Sequence, residues 1–384
     1  MGEEETVTES LSETPQTKEI GVGMLGYAFM GKAHSNAYRQ IAAMTWPASL
    51  VPRLVAIAGR TKEQVELAAR RYGYERWTTD WHDLVFDEEI GLFDNGGPNS
   101  LHAEPTALAA EAGKHVLCEK PLARSADESY ELWREVAKTG VKHMCGFNYR
   151  FVPAVRLARE LIEAGELGEI RHFRARYLQD WGSEESRQTW RFDPEQAGSG
   201  AIGDLASHVV DLARYLVGEI AAVSALVRTF VPDRRVDDAL EAAVEFDSGA
   251  IGTIEATRLA LGRRNAFQWE LNGSEGSLAF DLERLNELRV FRADGDRSRG
   301  FKTVLVTEPD HPFASFWWPP GHVIGWGDTF VHEIQHLLTA IADDGAVAPH
   351  GATLEDGYRA AEVCDAFLRS SSSGRREEIT FRTL

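Results

Sequence analysis

Residues 20–31 read IGVGMLGYAFMG, an apolar run that ends in a glycine-containing turn, and a helical pattern follows over residues 32–41. The run predicts a buried strand, so strand, turn and helix follow one another as in a dinucleotide-binding βαβ unit. Glycine there allows a tight turn and a close approach of the backbone to a pyrophosphate, which free N–H groups at the helix start would bind. The cofactor-binding residues expected at this turn are Gly26, Ala28, Phe29, Met30 and Gly31.

Two frames of the G-x-G-x-x-G fingerprint fit this stretch. Gly21, Gly23 and Gly26 match it by letter, but almost no strand precedes them. The frame that begins at Gly26 has alanine in the middle place, with a strand before it and a helix after it, so context favours that frame. Because glycine also simply ends strands, a single match is weak evidence by itself.

The second predicted strand, residues 53–58, is followed by Gly59 and Arg60 instead of an acidic residue. An acidic residue at that place would bind the adenosine ribose, whereas an arginine can accept a 2′-phosphate or stack on adenine. An exposed arginine at a helix start would look the same in the sequence. NAD and NADP both stay open as cofactors, with Arg60 as a candidate contact.

Strand and helix patterns alternate about six times up to residue 147, which predicts a doubly wound parallel sheet. A short apolar strand over residues 115–117 leads into Cys118-Glu119-Lys120-Pro121. Pro121 cannot continue a strand ladder and restricts Lys120 to extended geometry. Lys120 is therefore expected at the carboxyl rim of the sheet, where open α/β sheets bind ligands. Glu119 and Lys120 could equally be ordinary polar residues at a strand exit.

The second half of the chain has a different pattern, in which alternating strands predominate. Strands are predicted at 170–180, 221–230, 239–246, 250–260, 267–272, 277–280 and near 378–381. Helices are predicted at 154–164, 204–217, 329–342 and 354–370, and residues 294–327 are expected to form one long loop. These elements predict an α+β domain with a large, mostly antiparallel open sheet.

The chain divides into three predicted parts. Residues 1–17 form an acidic segment without apolar periodicity, which is expected to be a disordered tail. Residues 18–147 form the dinucleotide-binding domain, and residues 148–384 form a domain for substrate binding and oligomerisation. The C-terminal helices of the second domain could pack back on the first.

The helix predicted over 204–217 carries Asp204, His208 and Asp211 on one face. A histidine there could exchange a proton with a substrate hydroxyl near neutral pH. An aspartate one turn away could orient the imidazole or the substrate. The alternative is a capping Asp204 and an interior His208 that is bonded to the backbone.

Residues 332–336 read HEIQH and match the H-E-x-x-H zinc protease pattern. A zinc site of that kind needs a third protein ligand, and none is evident in the sequence. We predict that no metal binds there.

Composition limits the classes of partner. The formal charge of −19 argues against nucleic acid and against an anionic membrane surface. The sequence has no signal peptide pattern and no apolar stretch long enough to span a bilayer. Cys118, Cys145 and Cys364 are odd in number and scattered, which favours reduced thiols and a cytoplasmic location.

Taken together, these motifs resemble the Gfo/Idh/MocA family, the glucose–fructose oxidoreductase and inositol dehydrogenase group. The resemblance covers nearly the whole chain after the acidic tail. It implies a Rossmann domain, a second domain whose open sheet often joins subunits into homodimers or homotetramers, and Lys120, Asp204 and His208 as catalytic residues. Further expected cofactor contacts are Pro98, Asn99, His102, Glu119 and Lys120. Expected substrate contacts are Lys120, Tyr149, Arg150, Gln179, Asp180, Trp190, Asp204 and His208.

The resemblance implies oxidation of a secondary ring hydroxyl of a sugar, anhydrosugar, glycoside or cyclitol. His208 would remove the hydroxyl proton, Lys120 would stabilise charge on the oxygen, and Asp204 would bind a neighbouring hydroxyl while hydride passes to the nicotinamide. Two alternatives stay open: a redox-assisted glycoside hydrolase of the same family, and a non-catalytic nucleotide sensor. With a glycoside and catalytic NAD, a dehydrogenase would accumulate NADH, whereas the hydrolase would release aglycone without net reduction.

Overall fold

The computed structural model describes residues 18–183, 189–293 and 299–384, so the predicted disordered tail over 1–17 lies outside the described residues. Within these ranges the chain forms a six-stranded sheet and then a nine-stranded sheet. This arrangement confirms the predicted fold class, a doubly wound α/β domain followed by an α+β domain. No helix in the described ranges is long and apolar enough to cross a membrane.

The first sheet is entirely parallel and has the order β3-β2-β1-β4-β5-β6. Its strands are β1 Glu19–Leu25, β2 Val51–Ala58, β3 Arg76–Thr78, β4 Leu92–Asn95, β5 His115–Glu119 and β6 His143–Gly146. Its helices are α1 Phe29–Met44, α2 Lys62–Tyr72, α3 His82–Phe86, α4 Ala103–Glu111 and α5 Ala126–Ala137. The strand order reverses between β1 and β4, which is where such sheets bind ligands.

The second sheet has the order β14-β13-β12-β11-β7-β10-β9-β8-β15, and its pairs are antiparallel except for β7 with β10. Its strands are β7 Ile170–Leu178, β8 Ile220–Arg228, β9 Ala239–Phe246, β10 Ile251–Thr257, β11 Ala266–Gly273, β12 Gly276–Asp281, β13 Glu287–Arg292, β14 Lys302–Leu305 and β15 Glu377–Glu378. The helices are α6 Pro153–Glu163, α7 Pro194–Ala197, α8 Ser207–Leu216, α9 Asp328–Ala342 and α10 Leu354–Ser373.

Alternate residues along β9 and β10 are buried and exposed, as expected for a sheet with one covered face. The covered face packs against α8 and α10. The other face is open.

Several elements differ from the sequence prediction, among them the three-residue strand β3, which was not predicted. β13 was not predicted, and β14 lies inside the predicted loop over 294–327. β14 is the edge strand, and β13 lies next to it between β14 and β12. β14 has only four residues, and charged residues lie among the apolar ones in the six residues of β13, so each pattern is short and its signal in the sequence is weak. The helix predicted from 204 begins earlier, with the π-helical residues Ile202–Ala206 directly before α8.

The last two long helices return to the first domain. α9 packs on α1, and α10 packs on α5. One apolar cluster contains Ile41 and Leu117 from the first domain together with Phe330 and Leu338 from α9. The core of the first domain is therefore completed by the end of the chain.

Candidate active site

The carboxyl end of β5 meets the start of α8 where the two domains join. Lys120 directly follows β5, and its Nζ donates a hydrogen bond to the backbone oxygen of Asp204 at 2.8 Å. The same Nζ lies 3.6 Å from Oδ1 of Asp204. His208 follows one turn later, close enough for the charge of Lys120 to act on its imidazole. The structure thus brings the three predicted catalytic residues together.

The start of this helix is built by glycine and by Asp237. Oδ1 of Asp237 accepts the N–H of Gly200 at 2.6 Å, and Oδ2 accepts the N–H of Ile202 at 2.8 Å. A Cβ on Gly200 would lie 1.8 Å from the backbone oxygen of Asp237, so only glycine fits there. Asp237 therefore satisfies N–H groups at the helix start and fixes where Asp204 emerges.

Two cations flank the carboxylate of Asp204. Nζ of Lys120 faces Oδ1, and a guanidinium nitrogen of Arg258 lies 3.7 Å from Oδ2. Burial by itself would raise the pKa of Asp204, but Lys120, Arg258 and Arg191 outweigh it and hold the pKa below its ordinary value. Asp204 is accordingly an ionised hydrogen-bond acceptor at neutral pH.

His208 lies among aromatic rings and is 6% exposed. Its ring centroid is 4.5 Å from that of Tyr149, and Phe147 and Tyr177 also contact it. Burial, together with the charge of Lys120, lowers the pKa of His208 well below its usual value. Its Nδ1 is buried without a hydrogen-bond partner among the described residues. A neutral imidazole of this kind can accept a proton.

A hydrogen-bonded network lies beside His208 and runs across the neighbouring strands. The hydroxyl groups of Tyr149 and Tyr177 lie 2.8 Å apart, and Tyr177 donates to Oδ1 of Asn265 at 2.7 Å. Nε2 of Gln179 donates to the same Oδ1 at 2.7 Å, and Oε1 of Gln179 accepts from Trp181 at 2.6 Å. Tyr149 and Gln179, both predicted substrate contacts, therefore belong to one network beside His208.

The other predicted substrate contacts lie in different surroundings. Arg150 is buried and bonds Asp211 at 2.6 Å, so the structure places it in a structural ion pair instead of beside Lys120. Asp180 bonds Arg264 at 3.2 Å. Trp190 lies beneath the guanidinium of Arg191, 4.4 Å from its ring centroid. Among the described residues, Arg191 links Trp190 to the site, because the charge of Arg191 acts on Asp204.

The turn after β1 has the geometry that the fingerprint requires. Gly26 has φ +103°, and a Cβ on Gly31 would lie 2.2 Å from the backbone oxygen of Gly26. Both positions therefore need glycine. No side chain in the described ranges caps the start of α1 at Ala28, so its first N–H groups are available to an anion. Met30 is half-buried, and Phe29 is 61% exposed and stacks on Trp326.

The remaining predicted cofactor contacts surround this turn. Arg60 is exposed just after β2. Pro98 is followed by Asn99, whose Nδ2 donates to the oxygen of Ala197 at 2.9 Å and so ties this loop to the second domain. The ring of His102 lies between the oxygens of Pro121 (2.8 Å) and Gly97 (3.0 Å). Burial lowers the pKa of His102, so a neutral ring donates one of these two bonds.

Glu119 is directed inward at the rim of the sheet. Its Oε1 lies 3.0 Å from Nε2 of His34, and its Oε2 accepts the N–H of Lys120 at 3.2 Å. The carboxylate thus lies beneath Lys120 and is 4% exposed as a residue.

The HEIQH segment lies on α9, and both of its histidines form hydrogen bonds with neighbouring residues. Nδ1 of His332 donates to the oxygen of Phe151 at 2.8 Å, and Nε2 accepts from Trp317 at 2.6 Å. His336 bonds the oxygen of Val347 at 2.7 Å. Among the described residues, no group of three or more His, Cys, Asp or Glu could hold a metal ion.

Sequence patterns did not identify Arg258, Asn265 and Trp326 as parts of the site. Arg258 follows β10 and Asn265 precedes β11, so neither belongs to a motif with fixed spacing. Trp326 was visible only as one of several tryptophans in the predicted loop. Its indole stacks on Phe29 and donates to Tyr149 at 3.4 Å, so it joins the dinucleotide turn to the network beside His208.

Comparison with known proteins gives consistent matches over both domains. Residues 20–147 match the family model described as an oxidoreductase family with an NAD-binding Rossmann fold, and residues 155–279 match the GFO/IDH/MocA C-terminal domain. Levoglucosan dehydrogenase of Pseudarthrobacter phenanthrenivorans is 43% identical over an alignment of 381 residues that covers 92% of this chain and 97% of that protein. Inositol 2-dehydrogenase of Rhizobium meliloti is 26% identical over 365 residues, covering 94% and 99% of the two chains.

Solved structures agree with these matches. Levoglucosan dehydrogenase in complex with NADH and L-sorbose superimposes with a TM-score of 0.92 at 43% identity, covering 95% of this chain and all of that chain (100%). An oxidoreductase domain protein from Kribbella flavida gives a TM-score of 0.91 at 42% identity, with coverage of 95% and 100%.

Proposed function

Because the chain belongs to the Gfo/Idh/MocA oxidoreductase family, we propose that it oxidises a secondary ring hydroxyl of a pyranose sugar or 1,6-anhydrosugar. It is an NAD(P)-dependent sugar or polyol dehydrogenase, as its relatives are. The observation that carries the proposal is the meeting of Lys120, Asp204 and His208 at the carboxyl end of β5.

The dinucleotide site is the turn between β1 and α1. The glycines at 26 and 31 leave room for a pyrophosphate, and the uncapped start of α1 offers N–H donors. When bound, the nicotinamide accepts the hydride that leaves the substrate carbon. We propose NAD as the preferred form, because solved relatives contain NADH, and Arg60 is then a stacking partner for the adenine.

The side chains of the protein transfer the hydroxyl proton and orient the substrate. His208, neutral because of its lowered pKa, takes the hydroxyl proton. The ammonium group of Lys120 stabilises the negative charge that develops on the same oxygen. Asp204, held ionised by its two flanking cations, accepts a hydrogen bond from a neighbouring substrate hydroxyl. Several donors and acceptors around one ring suit a polyhydroxylated substrate.

The network beside His208 supports a carbohydrate as substrate. Tyr149 and Gln179 present polar atoms next to apolar rings, which match the mixed faces of a pyranose. The 43% identical relative is named for an anhydrosugar, levoglucosan. We therefore propose levoglucosan and related pyranoses as the first substrates to examine.

A substrate screen tests the proposal. Purified protein is incubated with levoglucosan, aldohexoses, inositols and an aryl glycoside, each with NAD or with NADP, and absorbance of the reduced nicotinamide is followed. We expect net reduction with at least one pyranose and a preference for NAD. Release of aglycone from the glycoside without net reduction would instead indicate redox-assisted hydrolysis. Absence of any turnover despite tight NADH binding would favour a nucleotide sensor.

We further propose that subunits pair through the open face of the second sheet. Leu226 and Ile251 are 61% and 58% exposed on that face. Acidic side chains lie on β9 and β10, whereas β7 carries arginines. Two copies related by a twofold axis would place these opposite charges together. A cytoplasmic location also stays a proposal, supported by three buried free cysteines.

A further inference from the structure

A chain of buried hydrogen bonds runs beneath the catalytic lysine. The hydroxyl of Tyr38 donates to Oδ2 of Asp94 at 2.8 Å, and the same oxygen lies 2.8 Å from Nδ1 of His34. Nε2 of His34 lies 3.0 Å from Oε1 of Glu119. Oε2 of Glu119 accepts the backbone N–H of Lys120. This series of hydrogen bonds thus joins α1 and β4 to Lys120, the residue that faces Asp204.

The imidazole of His34 bridges two carboxylates. It is 0% exposed, and Asp94 is also 0% exposed. Since both ring nitrogens face carboxylate oxygens, both must carry hydrogen for the two bonds to exist together. Burial opposes a charged ring, but Asp94 and Glu119 outweigh it and raise the pKa of His34 well above its usual value.

The surroundings of the bridge leave Glu119 little freedom. A Cβ on Gly146 would lie 2.8 Å from Oε1 of Glu119, so only glycine leaves room for the carboxylate at this position of β6. The backbone of β6 therefore packs closely against Glu119. The ring of Phe330 on α9 covers His34 with centroids 5.2 Å apart. Glu119 is therefore fixed by contacts and by charge before it bonds Lys120.

We propose that His34 is a positioning residue for Lys120. Its bridge holds the carboxylate of Glu119, and Glu119 in turn orients the Lys120 peptide so that Nζ meets Asp204 and the reacting oxygen. Misplacement of a catalytic group by about 1 Å can cost 10²-fold in turnover. The inference rests on the proposed role of Lys120 in the dehydrogenase.

A double-mutant cycle tests this role. His34→Gln removes the charge and cannot reproduce both opposed bonds; we expect kcat with the best sugar to fall about 10- to 100-fold. The KM for sugar and the Kd for NADH should change by no more than a few-fold. In a Lys120→Ala background, His34→Gln should cause no further loss of kcat, because its effect passes through Lys120.

Tyr38→Phe is the matched control. It removes the outermost bond of the chain and leaves His34 between its carboxylates, so kcat should stay within about threefold of the wild-type value. If His34→Gln fails to fold, the double variant His34→Gln/Asp94→Asn relieves the uncompensated buried charge and enters the same cycle.

Two results would overturn the inference. One is unchanged kcat in the His34 variant; the other is an equal fractional loss with and without Lys120, as a merely structural residue would give. If Lys120→Ala itself had normal turnover, the assigned role of Lys120 would fail and this inference with it. If the wild-type protein reduced no nicotinamide with any sugar, the proposed function would fail, so the two failures are distinguishable.

Discussion

At the scale of single residues, the site depends on holding Asp204 ionised and His208 neutral at the same pH. Asp204 is held ionised by Lys120 and Arg258, whereas His208 is held neutral by aromatic burial beside the same lysine. One cation therefore favours the charged form of Asp204 and the uncharged form of His208. Such separated protonation states are what acid–base chemistry near pH 7 requires.

Substitution of the catalytic residues should separate their roles. Lys120→Ala removes a cation aimed at developing negative charge, and we expect kcat to fall about 10²- to 10³-fold. His208→Ala removes the base, with an expected loss of about 10²- to 10⁴-fold that higher pH partly restores. NADH affinity, measured by titration, should stay within a few-fold in both. Normal turnover of Lys120→Ala on its best substrate would contradict the assignment.

The decline of kcat on the acid side of its pH profile should begin at a low pH. Because the pKa of His208 lies well below its usual value near 6.5, the base stays unprotonated as the pH falls through 6.5. Asp204, whose pKa is also lowered, remains ionised over the same range. Steady-state kcat should accordingly be flat from pH 8 down through about 6.5 and decline only below that value. An acid limb at pH 7 would be inconsistent with a desolvated base.

The dinucleotide turn should not tolerate a larger side chain at Ala28, the middle position of the fingerprint. Ala28→Leu would place a side chain in the path of the pyrophosphate, so NADH binding should be lost. Ala43→Leu is the matched control, since Ala43 is exposed farther along the same helix and should leave NADH affinity unchanged. Isothermal titration of both variants measures the difference; equal affinities would refute the frame that begins at Gly26.

At the scale of elements, α9 shows that a match of residue types to a motif is weaker evidence for a site than the contacts of those residues in the fold. Both ring nitrogens of His332 are used in hydrogen bonds, and burial lowers the pKa of His332 to about 3. Glu333, between the two histidines of the pattern, faces inward and has no partner for either carboxylate oxygen among the described residues. The histidines of the segment are therefore bonded within the second domain, while Glu333 faces Glu119, His34 and Asp94 of the first domain.

Glu333 should weaken the fold as the pH rises. Burial, aided by the carboxylate of Glu119, raises the pKa of Glu333 well above its usual range. The unfolded chain releases this proton near pH 4.3, so each pH unit between the two pKa values costs up to about 1.4 kcal/mol of stability. Glu333→Gln removes this cost. Its melting temperature should exceed the wild-type value at pH 8 and approach it at pH 5; a lower value at pH 8 would contradict the prediction.

Elements with a strong apolar periodicity could be predicted from the sequence, whereas features that depend on contacts between distant elements could not. The buried strands of the first sheet and the strand–turn–helix at residues 20–31 were predictable because both are local patterns. β14 was not, because an edge strand carries little apolar signal. The same limit applies to side chains: Lys120, Asp204 and His208 belong to motifs, whereas the bridge between Asp94 and His34 depends on two elements meeting in space. Arg150 adjoins a motif but lies in a buried ion pair.

At the scale of the whole molecule, the open sheet is the surface on which the predicted assembly depends. Leu226→Asp should shift the protein towards monomers, because a buried unpaired carboxylate opposes pairing. Leu67→Asp, a change of the same kind at a 54% exposed leucine of the first domain, should leave the assembly intact. Light scattering after size-exclusion chromatography compares the two; identical masses would argue against pairing through this face.

The return of α9 and α10 to the first domain determines how this protein could be recombined with its relatives. Ile41 and Leu117 share their apolar cluster with Phe330 and Leu338, so a cut at residue 147 separates side chains that pack together. A chimera that takes only residues 18–147 from one parent would join mismatched halves of a core. The unit of exchange is therefore discontinuous: a graft of the nucleotide-binding part should carry residues 328–373 with it.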